Sequence, residues 1–284
     1  MIDKYAATSP AYSGIAKLEM AYVYSMAADI WGDVPYSQAA QGLKYENPRF
    51  DKVKDIYEGN AALGITSLFD LVKSGLADLA KPSTLKPGAD DIVYKGDLTK
   101  WQRMGNTLLL KFAIQLSNVN PTLAASTISA VLTGNNFINS NTLDFEVPFG
   151  ASVGNQNPLY SFNNLNRTGD QMLSTRLLNL SRSLNDTVRL SKFFTTPSGT
   201  FVSFDNGANA VVPATATRSK YNTYLTGVSG ETPIRILTNF QVNFILAEAA
   251  LVLGTPGDPN TYYQAGITAS MQKVGMSATD IANY

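Results

Sequence analysis

Phe149, Tyr160 and Phe162 share one stretch of chain with the amides of Asn155, Asn157, Asn163 and Asn164. Flat rings offer their faces to a sugar ring or an apolar peptide side chain. Each primary amide brings donors and an acceptor to hydroxyls or backbone groups. Gly150, Gly154 and Pro158 punctuate the stretch, so it reads as a loop, and long polar loops are either functional or disordered. The candidate ligand-binding set is therefore Phe149, Asn157, Tyr160, Phe162, Asn163 and Asn164. The 201–224 region, with Phe204, Tyr221 and Tyr224, is the second choice. The plainer alternative is that the aromatic rings anchor the loop to a helical core.

Composition removes most catalytic chemistry. The 284 residues include no cysteine and no histidine, which excludes disulfides, thiolate nucleophiles, Ser-His-Asp triads and His- or Cys-ligated metals. Carboxylate, lysine or tyrosine chemistry remains. Glu248 lies in an apolar helix and is expected to pair with an arginine; a lone carboxylate there lacks the second one that glycoside hydrolysis uses. Asp90, Asp91 and Asp258 have calcium-type oxygens but no EF-hand loop around them, so turn and cap roles are expected, with no metal and no cofactor. With 22 basic and 22 acidic residues and no basic block, nucleic acid is not expected as a partner. Only 15% of residues are charged, so Asn, Ser, Thr and Gln must cover much of the surface. Such a surface suits neutral ligands such as sugars, and it is also common in secreted bacterial proteins. Asn166-Arg167-Thr168, Asn179-Leu180-Ser181 and Asn185-Asp186-Thr187 match the N-glycosylation triplet, as chance allows in an Asn-rich chain.

The elements that must position these groups are mostly helical. Ile15, Leu18, Tyr22, Val23, Met26 and Ile30 recur at helical spacing, predicting a helix over about 11–31. Gly32 and Pro35 stop it. Trp31 is expected to be a buried corner residue, with Asp33 binding nearby backbone N–H groups. Further helices are expected over about 52–80 (capped by Asp51, weakened by Gly59, Gly64 and Gly75), 100–118 (capped by Thr99, with Trp101 in the core), 121–133, 169–183, 237–253 and 259–274. Asn120-Pro121 and Asp258-Pro259 are helix starts; Gly134, Gly254 and Gly275 are stops. Ser277 with Asp280 has capping-box spacing. Asp205-Asn206-Gly207, between 201–204 and 209–212, predicts a β-hairpin. The fold class is mainly α: helix pairs packed against an irregular, loop-rich region with a minor hairpin. The helical parts are about 11–134 and 237–284, and the loop-rich part is about 135–236.

Asp29-Ile30-Trp31-Gly32-Asp33-Val34-Pro35-Tyr36-Ser37-Gln38-Ala39 resembles the helix-to-turn signature of the SusD/RagB family of surface nutrient-binding lipoproteins, a (Y/W)GD(V/I)PY turn. Trp101 to Leu116, with Lys111-Phe112-Ala113, is similar to that family's second core helix. Leu184-Asn185-Asp186 with Arg189-Leu190 is similar to its L-x-D-P-R-L loop, Thr187-Val188 replacing the proline. Phe240 to Ala250 with Tyr263 to Met271 resembles its late helical pair. The resemblance runs from about residue 15 to 275 in consistent order.

That resemblance implies a single SusD-like domain over 1–284 with tetratricopeptide-like helix pairs, no enzyme activity, and capture of an oligosaccharide, or of a peptide as in the RagB branch. The implied partner is a SusC-like TonB-dependent outer-membrane transporter, and the implied location is the bacterial cell surface, held by a lipid anchor on the full-length precursor. Met1-Ile2-Asp3-Lys4 does not read as a secretory leader, and the helix opened at Ser277 runs out at Tyr284, so the chain reads as truncated at both ends. A helical-repeat adaptor presenting a concave groove to a protein partner is the alternative function. A carboxylate-only glycosidase on an all-α scaffold is the third.

Overall fold

A computed structural model describes Ile2 and residues 6–284; most of Met1–Lys4, read above for a leader, lies outside the described residues. The helices are α1 Pro10–Trp31, α2 Val53–Glu58, α3 Leu68–Leu79, α4 Leu98–Gln115, α5 Pro121–Gly134, α6 Thr175–Ser183, α7 Thr187–Phe193, α8 Asn239–Leu253, α9 Pro259–Lys273 and α10 Ala278–Asn283, with shorter helical turns between them. Among the described residues six short strands accompany them: β1 Val34–Pro35, β2 Phe50–Asp51, β3 Phe145–Val147, β4 Leu173–Ser174, β5 Ser203–Phe204 and β6 Ile234–Leu237. The fold is mainly α, as the periodicity indicates. No helix among the described residues is long and apolar enough to cross a membrane.

Cap chemistry sets most boundaries. Asn120 accepts the Leu123 N–H ahead of Pro121, and Ser277 accepts the Asp280 N–H. Gly254 closes α8 in the left-handed region. Three expectations are corrected. The helix expected over 52–80 is two helices: Gly59 (φ 84°) ends α2, Asn60 bridges to Ile65, and Ser67 caps α3 afresh by accepting the Asp70 N–H. Asp97, not Thr99, caps α4, accepting the N–H groups of Thr99 and Lys100. Asp51 caps nothing; it is buried, accepting the Ser37 N–H at 2.6 Å and the Arg49 Nε–H at 2.8 Å.

The chain divides into two compact units, Met1–Asp144 with Leu237–Gly266, and Phe145–Ile236 with Ile267–Tyr284. In the first unit α1 packs on α3, α3 on α4, α4 on α5, and α8 on α4 and α5. The buried face of α1 is made of small residues, Ala11, Gly14, Ala21, Ser25 and Ala28, with Leu18 among them. Val23 and Ile30, assigned to the apolar stripe above, face solvent. Leu18 fits beside Gly75 and Gly105, where a Cβ would meet its methyl groups at 3.0–3.1 Å. Phe112 is edge-on to Tyr57 and Phe69 in the core.

Trp101 is buried as expected, and its indole N–H donates to Asp91 Oδ2 at 2.7 Å. Trp31 is not buried: 72% of it is exposed. The buried stripe of α1, Gly14, Leu18, Ala21, Ser25 and Ala28, ends at Ala28, and Trp31 lies roughly 100° around the helix from its centre, off the packed face. Asp33 does bind backbone, accepting the Val53 N–H, together with Lys52 Nζ. Glu248 faces solvent and pairs with no arginine among the described residues. Asp91 and Asp258 serve turns, as expected: Asp91 accepts from Val93, Tyr94 and Gly96, and Asp258 from Thr261.

In the second unit β3 pairs with β6, and β4 pairs in parallel with β5, Leu173 opposite Ser203. The expected hairpin does not form. Asp205-Asn206-Gly207 makes the turn (the Ala208 N–H donates to the Asp205 carbonyl), but 209–212 stays exposed and unpaired. β5 pairs instead with β4, the segment expected to open a helix at 169, because Leu173 and the adjacent Phe201 join the core of Leu178, Leu190 and Phe194. Asp186 and Arg189, the family-like loop, form a buried corner: Asp186 precedes α7 and is paired by the Arg189 guanidinium, which also donates to Ser270 Oγ.

Candidate ligand-binding site

Anchoring of the 149–164 loop comes first. The Asn157 N–H donates to the Gly230 carbonyl at 2.8 Å. Its side chain accepts the Leu159 N–H and donates to the Thr232 carbonyl, both at 2.8 Å. Gln156 Nε2 donates to the Ser229 carbonyl. Gly230 (φ 96°) lets the backbone approach; a Cβ there would lie 2.7 Å from Gln156 Cβ and 3.1 Å from the Tyr160 ring. Glu231 closes this turn: its own backbone N–H and those of Ser229 and Val228 hold its carboxyl below the ordinary carboxylate value. Asn157 is thus 1% exposed and committed to the fold.

Beyond this anchor the chain makes a helical turn at Pro158–Tyr160 and a wide π-type turn over Ser161–Asn166, closed by the Arg167 N–H donating to the Phe162 carbonyl at 2.7 Å. Such turns recur at functional sites because they displace side chains from the regular helical path. Here the turn puts Asn163 and Asn164 on the wall of a cavity of about 270 Å³, lined also by Thr168, Gln171, Thr195, Lys220 and Tyr221. That volume is at the lower edge of the roughly 300–1,000 Å³ typical of small-molecule pockets. The opposite wall is a backbone bridge, Phe194 opposite Tyr221. The Thr195 N–H donates to the Lys220 carbonyl at 2.9 Å, and the Lys220 N–H to Thr195 Oγ1 at 3.0 Å. The Tyr221 ring packs on Phe194, centroids 5.4 Å apart.

Asn163 is the telling residue. It is 9% exposed, and its Nδ2 donates to the Leu159 carbonyl at 2.8 Å, which fixes the orientation of the amide. Its Oδ1 is buried, with no hydrogen-bond partner among the described residues. A buried amide oxygen without a donor costs on the order of 1–3 kcal/mol, and here that unmet acceptor belongs to a residue lining the cavity.

The structure therefore brings together two members of the candidate set, Asn163 and Asn164, with Tyr221 of the second choice. Phe149 and Tyr160 are half-buried in the anchored part of the loop. Phe162 is 45% exposed. Tyr224 lies under the Arg235 guanidinium at 3.8 Å and against Phe193. Thr168, Gln171, Thr195 and Lys220 escaped sequence reasoning. The Phe194–Tyr221 bridge, between segments 27 positions apart, brings Thr195 and Lys220 together, and no local pattern signals it. Two other cavities are less suited. One of about 190 Å³ in the first unit is bounded by Asp90 and Asp91, whose oxygens are already satisfied. One of about 300 Å³ beside α6 and α7 is lined largely by Leu and Phe. Among the described residues no group of acidic side chains is arranged to hold a metal.

The sequence model of the SusD-like family described as "Starch-binding associating with outer membrane" matches residues 1–284. The chain belongs to this SusD-like family. Its fold is shared with a chitin-binding protein (24% identity, TM-score 0.79, 98% of this chain and 61% of that one). It is shared also with SusD homologues of Bacteroides uniformis (22%, 0.79, 95% and 55%) and Parabacteroides distasonis (19%, 0.81, 99% and 60%). This SusD-like chain spans 55–61% of the length of these three structures. Comparison with curated protein sequences gives no match.

Proposed function

We propose that this SusD-like chain forms part of a non-catalytic surface receptor that captures an oligosaccharide and passes it to a SusC-like TonB-dependent outer-membrane transporter, with a lipid anchor on the full-length precursor. The observation that carries the reading is a cavity wall of amides, hydroxyls and one aromatic ring, in which Asn163 has a buried Oδ1 without a hydrogen-bond partner among the described residues. Sugar hydroxyls both donate and accept, and this lining offers both. Asn163, Asn164 and Gln171 bond hydroxyls of one sugar ring, and Tyr221 gives it an apolar wall. Phe162, exposed on the same turn, offers a stacking face to the rest of the oligosaccharide, while Phe149, Tyr160 and Asn157 hold the loop. The residues lining the cavity include no carboxylate, so holding without turnover is the chemistry they favour. The test is titration calorimetry against a panel of oligosaccharides and peptides, with hydrolysis followed in parallel. Glycan affinity without turnover is expected. Turnover would overturn the non-catalytic reading, and peptide affinity alone would place the ligand in the RagB branch. Co-purification of the full-length protein with a transporter tests the partner.

A further inference from the structure

We infer that the sugar taken by this cavity is acidic, carrying a carboxylate as in a uronic or sialic acid, and that Lys220 is the residue that selects it. The inference rests on the glycan-binding reading above. Lys220 is half-buried and is the sole charged side chain in the lining; the other six lining residues are Asn, Gln, Thr and Tyr. Its backbone is fixed on both sides by Thr195, so the stem of the side chain starts from a set position. Among the described residues no carboxylate pairs with its ammonium. Several other cations of the same unit are engaged: Arg167 with Asp170, Arg189 with Asp186, Arg235 and Lys273 with Glu146, and Arg218 with the carbonyls of Gly169 and Pro213. Arg176, Arg182 and Lys192 also lack a carboxylate partner among the described residues, but none of them lines this cavity.

Lys220 is a half-buried residue among neutral dipoles, and no carboxylate in the lining balances its charge. A neutral sugar returns only ordinary hydrogen bonds. A ligand carboxylate returns a charge-assisted one, roughly twice as strong as a neutral pair, in a site whose lining amides and hydroxyls suit the hydroxyls of the same ring. A second carboxylate in the wall would cancel the preference, and none is there.

Matched pairs test this: trigalacturonic acid against its methyl ester, and sialyllactose against lactose, within a panel of acidic and neutral oligosaccharides titrated into the 284-residue chain. At least one acid should bind about tenfold or more tightly than its neutral twin. Added salt should weaken that acid and spare the twin. Lys220→Gln should erase the preference with an unchanged melting temperature, and Lys220→Arg should restore most of it. Which pair responds separates a uronic from a sialic ligand. Equal affinity within pairs, binding confined to neutral glycans, or a preference that survives Lys220→Gln overturns the inference while leaving glycan capture standing. Absence of binding across the whole panel overturns both.

Discussion

Gly14 of α1 and Gly75 of α3 meet backbone to backbone: a Cβ on Gly14 would lie 2.7 Å from the Gly75 carbonyl oxygen, and one on Gly75 would lie 3.0 Å from the Gly14 carbonyl oxygen. Glycine inside a helix ordinarily costs about 1 kcal/mol against alanine. Here the contact reverses the sign. Gly14→Ala is expected to destabilise by about 1–3 kcal/mol, the usual penalty for forcing an extra methyl into a packed interface. Gly134 is the control: expected as the stop of α5, it is instead the last helical residue, the left-handed stop being Asn135 (φ 45°), and an added Cβ would meet nothing within 4 Å. Gly134→Ala should be neutral or stabilising by a few tenths of a kcal/mol. Urea unfolding of both variants checks this; equal shifts would mean that α1 and α3 are not in close contact.

The two tryptophans should behave oppositely. Trp101 is 1% exposed, bonded to Asp91 and edge-on to Tyr94 at 5.3 Å. Trp101→Ala should cost about 3–5 kcal/mol, as for other buried aromatic residues. Trp31, the most conspicuous residue of the family-like signature, is 72% exposed, and Trp31→Ala should stay within about 0.5 kcal/mol of the parent. Tryptophan fluorescence gives a second readout: an aqueous quencher should reach Trp31 and not Trp101. A large stability loss in Trp31→Ala would restore it to the core.

Why the sequence misplaces Trp31 is instructive. The ends of α1, α5, α8 and α9 are legible because capping is local: Asn120-Pro121, Gly32 and Gly254 act within one turn of chain. Which face of α1 is buried is not local. Large apolar residues mark the stripe in a hydrophobicity reading, yet α1 packs through Gly14, Ala21 and Ala28 because α3 and α4 present Gly75 and Gly105 to Leu18. The hairpin fails for a related reason. Its turn residues do what their type dictates, but the partner of β5 is β4, some 30 positions upstream, chosen by the apolar cluster around Leu173. The candidate site divides the same way. Amide and aromatic composition points to the 149–164 loop, while the cavity wall contributed by Thr195 and Lys220 comes from a long-range bridge.

Acid should unfold the protein through particular carboxylates. Burial alone would raise Asp91, but the Trp101 indole N–H and the backbone N–H groups of Gly96, Tyr94 and Val93 more than offset it and hold its carboxyl below the ordinary value. Asp78 follows the same logic, burial opposed by Lys17, Lys81 and the Ser13 hydroxyl. A carboxyl whose pKa is lower folded than unfolded leaves the unfolded chain binding more protons as pH falls. Its contribution is then complete above about pH 5 and is lost as pH drops through about 4 toward the folded value. The urea midpoint should therefore hold between about pH 7 and 5 and fall below that. The fall should be shallower in Asp91→Asn, which lacks the charge at every pH. A midpoint indifferent to pH down to about 3 would contradict the assignment.

Ligand capture and loop anchoring should separate in two amide variants. Gln171 is half-buried on the cavity wall, and its side chain makes no hydrogen bond among the described residues, so it is free for a ligand. Gln171→Ala should weaken binding of a glycan found in the panel by about fivefold, the value of one net hydrogen bond near 1 kcal/mol, with no change in melting temperature. Asn157 is the reverse case. Truncating it strands the Leu159 N–H and the Thr232 carbonyl in a buried corner, so Asn157→Ala should destabilise by about 1–3 kcal/mol. Below its new melting temperature, glycan affinity should change little, because Asn157 does not reach the cavity. The opposite result, affinity lost in Asn157→Ala without loss of stability and retained in Gln171→Ala, would move the binding face from the cavity to the outer surface of the 149–164 loop.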